Sequence, residues 1–256
     1  MNKRIKFILT SIVLSLGFIG INFLEEDLRF VAIGALSALT FILFFISLKE
    51  GLRKDATLLT LILPTMFTLG VGFFWFLLPT SLIARIPVVI FYGIGLYALA
   101  LTANIFSVST IRTIALSRAA RGVGFVLTLL TCFFLFDAIL SLRAPIYVVA
   151  GLIFSTSALL FLQGLWMSLL DRKVSKKIIN YTLLLSISVT QVAIMLFFWP
   201  VSVVVGSLFL TVGIYLLLGL GQANLEERLF KRTLREYVSV GVVVFIAVFF
   251  ATHWGG

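Results

Sequence analysis

The sequence predicts an all-α protein: a polytopic transmembrane helical bundle of nine spans, N-terminus in the cytoplasm and C-terminus outside. Three observations predict it. Of the 256 residues, 61% are hydrophobic and 12% charged, about half the charge of an ordinary soluble domain. The apolar residues form runs long enough to cross a bilayer core about 30 Å thick, which takes roughly 20 residues of helix. Finally, 17 of the 20 Lys and Arg residues fall in alternate gaps between these runs, leaving Arg29, Arg85 and Arg143 in the others.

The runs are 7–23, 30–48, 56–78, 86–107, 123–140, 146–170, 178–199, 201–220 and 238–254. The first follows Lys3, Arg4 and Lys6 and resembles a secretory signal. It is longer than a usual signal core and no Ala-x-Ala follows it, so it reads as an uncleaved span. Pro200 alone separates the seventh and eighth runs, but 178–220 is 43 residues, about twice what one helix uses to cross. Charge parity agrees with a turn at Pro200. With nine spans, the segments 1–6, 49–55, 111–122, 171–177 and 221–237 carry three, three, three, four and four Lys or Arg, all on one side. Without that turn the last four cations would move outside, against the positive-inside rule.

The whole chain, 1–256, reads as one transmembrane domain with an internal repeat. Ala103-Asn104 matches Ala223-Asn224, Arg112-Thr113 matches Arg232-Thr233, and Phe125 matches Phe245, all at one offset without a gap. Gly34 and Ala38 resemble Gly151 and Ser155, and Phe73-Phe74-Trp75 with Pro79 resembles Phe197-Phe198-Trp199 with Pro200. The units would be 1–122 and 123–237, four spans each, with 238–256 as an extra span. An even number of spans per unit makes the repeat parallel, about an axis along the membrane normal. Small residues spaced by four, Gly34 with Ala38 and Gly151 with Ser155, are expected to let helices approach, and Pro64 to kink the third span.

Residues able to carry chemistry are few. The one cysteine, Cys132, lies in an apolar run and the one histidine, His253, at the far end, so no metal-ligand cluster is expected and no cofactor motif occurs. Asp137 is the sole acid within a span, and is expected to pair with Arg143 or Arg85 at the outer face. Asn104, Gln163, Gln191 and Asn224 could form a polar seam, or hydrogen-bond between helices. The segment from Leu225 to Tyr237 spaces its apolar residues as an interfacial amphipathic helix, with Arg228, Lys231, Arg232 and Arg235 on the other face. Its repeat counterpart carries Arg112, Arg118 and Arg121. Topogenic charge explains these cations by itself; the sharper reading is that they contact lipid headgroups.

The net charge of +10 thus points to anionic membrane lipid rather than nucleic acid. The expectation is a non-catalytic protein of the cytoplasmic membrane: a membrane subunit or lipid-binding scaffold, with a protein partner or a second copy as possible company. The alternatives are an uncoupled permease or lipid translocator with a polar seam between the repeats and, more weakly, an enzyme on a lipid-linked substrate using Asp137.

Overall fold

The computed structural model describes residues 3–21, 23–49, 56–78, 82–109, 116–171 and 173–252. Among them no strand occurs. The helices are α1 (Lys3–Ile21), α2 (Glu26–Leu48), α3 (Ile62–Leu77), α4 (Leu82–Ser109), α5 (Ser117–Ser141), α6 (Ile146–Leu169), α7 (Lys176–Phe197), α8 (Val203–Leu225) and α9 (Lys231–Ala251), with a 3-10 segment (Ala56–Leu61) leading into α3. Among the described residues, nine helices are long and apolar enough to cross a membrane. The turn at Pro200 is present: α7 ends at Phe197, and Ser202 caps α8 by accepting a hydrogen bond from the Val205 N–H at 3.4 Å.

Pro64 does not kink the middle of the third helix. It is the third residue of α3, where the first turn has no carbonyl for its missing N–H to bond. The backbone reaches it through the 3-10 segment. The proline inside a helix is Pro87, near the start of α4.

The helices pack as two units, Met1–Thr131 with Leu170–Lys173, and Cys132–Leu169 with Val174–Gly256; the division falls within α5. In the first unit, α1 packs on α2 and α4, α2 on α3, and α3 on α4. Phe7, Phe18, Phe44, Phe67 and Tyr92 are buried there, with Phe18 4.8 Å from Tyr92 and 5.0 Å from Trp75 between ring centres. A hydroxyl chain crosses this apolar core. Thr40 and Thr68 lie 3.1 Å apart, Thr68 and Tyr92 3.1 Å apart, and Ser37 Oγ donates to the Thr65 carbonyl at 3.0 Å. Such bonds and close packing are what hold helices together where no hydrophobic force acts between them, as in lipid.

Gly95 is the tightest point of that packing. A Cβ there would lie 2.6 Å from the Phe67 ring. Gly95→Leu is expected to destabilise by about 1–3 kcal/mol, as overpacking does, measured as a lowered unfolding midpoint in detergent. An unchanged midpoint would show that α3 and α4 do not meet at Phe67.

The small-residue pairs named from the sequence do not make the contacts. Gly34 and Gly151 have nothing within 4 Å of a Cβ position, and Gly34, Ala38, Gly151 and Ser155 are exposed. The packed stripe of α2 is Ile33, Leu36, Ser37, Thr40 and Phe44, and that of α6 is Ile153, Ser157, Leu160, Phe161 and Gly164. Larger residues fill those faces and leave the small ones outward.

In the second unit α6 and α7 form a hairpin, α8 packs on both, and α9 packs on α8. Gln222 Nε2 donates to the Gly164 carbonyl at 2.8 Å, and Asn224 Nδ2 donates to Tyr181 Oη. These two bonds fasten one end of α8 to α6 and α7. Helix α9 is held at both ends: Tyr237 lies against Gly219, and Trp199 Nε1 donates to Thr252 Oγ1 at 2.9 Å. Along its length Val248 is its one buried residue.

Candidate lipid headgroup interface

Cations cluster at several helix starts, and of those predicted to meet headgroups Arg118, Arg121, Lys231, Arg232 and Arg235 are among them. Lys3, Arg4 and Lys6 open α1, Arg118 and Arg121 open α5, Lys176 and Lys177 open α7, and Lys231, Arg232 and Arg235 open α9. None of these four helices has an acid in its first turn. A helix start carries roughly half a positive charge, so cations there lose about 0.3–1 kcal/mol where acids would gain it. The ends of α2, α4, α6 and α8, where the dipole would favour cations, carry none in their last turns. The arrangement therefore opposes the helices' own electrostatics. Backbone N–H groups and Lys or Arg side chains at the same place make these ends receptive to phosphate.

The segment 225–237 is not a separate interfacial helix. Helix α8 continues to Leu225, Glu226 to Phe230 form a turn with Glu227 at φ 58°, and α9 then runs unbroken from Lys231. The apolar periodicity read within 225–237 continues past Tyr237 into Val238 and beyond, so one long helix absorbs its second half. Arg228 sits in the turn, 3.6 Å from Glu226, and Arg232 bonds Glu236 at 3.0 Å one helical turn on. Lys231, Arg232, Arg235 and Glu236 surround an open depression of about 460 Å3. Beside them Leu229, Phe230 and Leu234 are exposed, Phe230 to 67%. Cations next to bare apolar residues suit the boundary between headgroups and acyl chains. Arg118 is exposed and Arg121 half-buried at the start of α5, while Arg112 lies outside the described residues.

Asp137 is 3% exposed, in the last third of α5. Its partner is Ser207 of α8, whose Oγ donates to Oδ1 at 3.1 Å. The sequence pointed instead to Arg143 or Arg85. Arg143 is exposed at φ 46° in the loop after α5, and Arg85 lies over the Trp75 ring at 5.2 Å. A hydroxyl neighbour serves a carboxyl or a carboxamide here alike, since the Oδ1 of Asn also accepts. Asp137→Asn is accordingly expected to keep expression and unfolding midpoint within about 1 kcal/mol, since interhelical polar bonds in membranes average about 0.6 kcal/mol. A loss of several kcal/mol in that variant would mean a charged carboxylate with a cationic partner.

Of the four amides, Gln163, Gln191 and Asn224 lie in the second unit and Asn104 in the first. Gln163 is buried in α6, its Nε2 3.9 Å from Met167 Sδ and its Oε1 without a partner. Gln191 is exposed on α7, and Asn224 is bound to Tyr181. Asn104 is half-buried on α4 in the first unit. Ser186 and Thr190, on the same helix as Gln191, donate to carbonyls of their own helix. Among the described residues no group of three or more His, Cys, Asp or Glu could hold a metal.

Sequence reasoning missed the Thr40–Thr68–Tyr92 chain, although Ser37 with Thr40 and Thr65 with Thr68 stand one helical turn apart on adjacent spans. It also missed Ser207, which nothing local to Asp137 reveals.

Comparison with known proteins returns one family. No curated protein and no solved structure matches the chain. A family model described as a protein of unknown function, DUF5656, matches residues 9–251, from within α1 to the last residue of α9. The chain belongs to the DUF5656 family.

Proposed function

We propose that the chain is a non-catalytic protein of the cytoplasmic membrane, a membrane subunit or lipid-binding scaffold whose basic helix starts face the cytoplasm and hold anionic headgroups. One observation carries this reading: cations crowd the helix starts, where the dipole disfavours them, while Asp137 is the one acid or base among the buried described residues. In this reading the N-terminus is inside, the C-terminus outside, and two parallel four-span units precede α9. The shared offset of Ala103-Asn104 with Ala223-Asn224 and of Arg112 with Arg232 supports the repeat.

Native mass spectrometry of the protein extracted with its surrounding lipid tests the reading. A stoichiometric polypeptide supports the subunit form, and retained anionic phospholipid supports the scaffold form. Specific solute or lipid flux in proteoliposomes would overturn both, in favour of an uncoupled permease or lipid translocator.

A further inference from the structure

The first unit has a groove that the headgroup interface does not use. It lies between α1 and α4, with a volume of about 400 Å3. Ile8, Ile12 and Leu16 form one wall; Gly93, Ile94 and Tyr97 form the other. The walls converge at Gly93, where a Cβ would come within 2.8 Å of Ser15 Oγ. That oxygen is buried with no hydrogen-bond partner, whereas Ser11 one turn before donates to the Phe7 carbonyl at 2.9 Å. Ile12 is 53% and Ile94 63% exposed, so the groove opens sideways, toward lipid in a membrane.

Its lining suits the occupant. From Ile8 to Leu16 helix α1 rises about 12 Å, within the roughly 15 Å of one leaflet's hydrocarbon. Apart from Ser11, Ser15 and the Tyr97 hydroxyl the lining is apolar, which suits a polymethylene chain. The groove starts about one turn beyond Lys3, Arg4 and Lys6. Segment 1–6 carries these three cations and no acid.

We propose that the α1–α4 groove seats one acyl chain of an anionic phospholipid, with its phosphate at Lys3, Arg4 and Lys6. The proposal rests on the inner-face reading above, and adds a defined site built from residues other than those at the start of α9. It makes the lipid a bound component rather than bulk solvent, one chain threaded between the first and fourth helices.

The test is native mass spectrometry of the full purified chain titrated with dipalmitoyl phosphatidylglycerol and, separately, dipalmitoyl phosphatidylcholine. The wild type is expected to bind one phosphatidylglycerol at least tenfold tighter than phosphatidylcholine. Ile94→Trp, on an exposed wall where no packing is disturbed, is expected to fill the groove and lower that first affinity at least tenfold. Arg4→Gln with Lys6→Gln, made in a background that also carries Arg228→Gln, Lys231→Gln, Arg232→Gln and Arg235→Gln, is expected to bring phosphatidylglycerol down to the phosphatidylcholine level. Arg228→Gln, Lys231→Gln, Arg232→Gln and Arg235→Gln together should leave this first lipid in place. If Ile94→Trp and Ile12→Trp both bind as the wild type does, the groove holds no acyl chain. A dimer that Ile94→Trp splits would assign the groove to a second copy and overturn the proposal. Loss of the first lipid in the α9 variant alone would overturn the groove while sparing the headgroup interface.

Discussion

Trp166→Ala is expected to destabilise the protein by about 3–5 kcal/mol, the range for deleting a fully buried large aromatic. Trp166 is fully buried in α6, among neighbours that include Phe161 and Leu165 at 1% and 0% exposure. Between helices in lipid, lost van der Waals contact is a large part of such a penalty. The nearby contacts add to it: Gly164 lies against Leu218, and Gly221 against Leu165 and Leu185, so α6, α7 and α8 close on one another at this level. The expected readout is a large drop in unfolding midpoint in detergent, with loss of protection of α8 from proteolysis. An effect below about 1 kcal/mol would mean that the face of α6 around Trp166 is not packed against α7 and α8.

The second large effect concerns the start of α9. Replacing Arg228, Lys231, Arg232 and Arg235 by Gln together removes four cations, each worth about 1 kcal/mol beside an anionic surface. At about 1.4 kcal/mol per tenfold, preference for anionic over zwitterionic lipid vesicles should fall by roughly a thousandfold. The same preference in the wild type should weaken with salt, because the Debye length is about 8 Å at physiological ionic strength. Two of these cations are partly engaged already, Arg228 with Glu226 and Arg232 with Glu236. Exposed pairs of this kind contribute little, so they do not compete strongly with phosphate. If lipid preference is unchanged in the quadruple variant, the cations serve orientation and not binding.

The fold was legible in the sequence where its signal is long-range and cumulative. Twenty consecutive apolar residues suit a helix that satisfies its own backbone in lipid, so the nine long apolar helices among the described residues were visible, including the pair divided at Pro200. Which face of each helix packs was far less visible. In a lipid-soluble bundle the inner and outer faces are both rich in Leu and Phe, so periodicity does not separate them. Gly34 and Gly151 look like packing positions by spacing and are exposed; Gly95 sits beside Tyr92 and Leu96 without distinction and takes the Phe67 ring.

The candidate site divides in the same way. The basic helix starts could be read directly, since charge position along the chain needs no tertiary information. The partner of Asp137 could not, because Ser207 is 70 residues away and serines occur throughout the spans. The amphipathic reading of 225–237 failed for a local reason. A window ending at Tyr237 hides that the same helix continues to Ala251, so its apolar face is the beginning of a span. The groove between α1 and α4 has no sequence signature either: it exists because Gly93 meets Ser15 across two helices far apart in the chain.

Orientation is the claim from which the basic cytoplasmic face follows, and cysteine labelling measures it most directly. Cys132 is fully buried, so single cysteines can be added at exposed turns against a silent background. Phe23→Cys, Leu142→Cys, Lys173→Cys and Glu227→Cys each sit between consecutive helices. With a membrane-impermeant maleimide on intact cells, Phe23→Cys and Leu142→Cys should label at once. Lys173→Cys and Glu227→Cys should label after permeabilisation alone. Labelling of Glu227→Cys from outside, together with Leu142→Cys, would contradict nine alternating spans and remove the basic inner face.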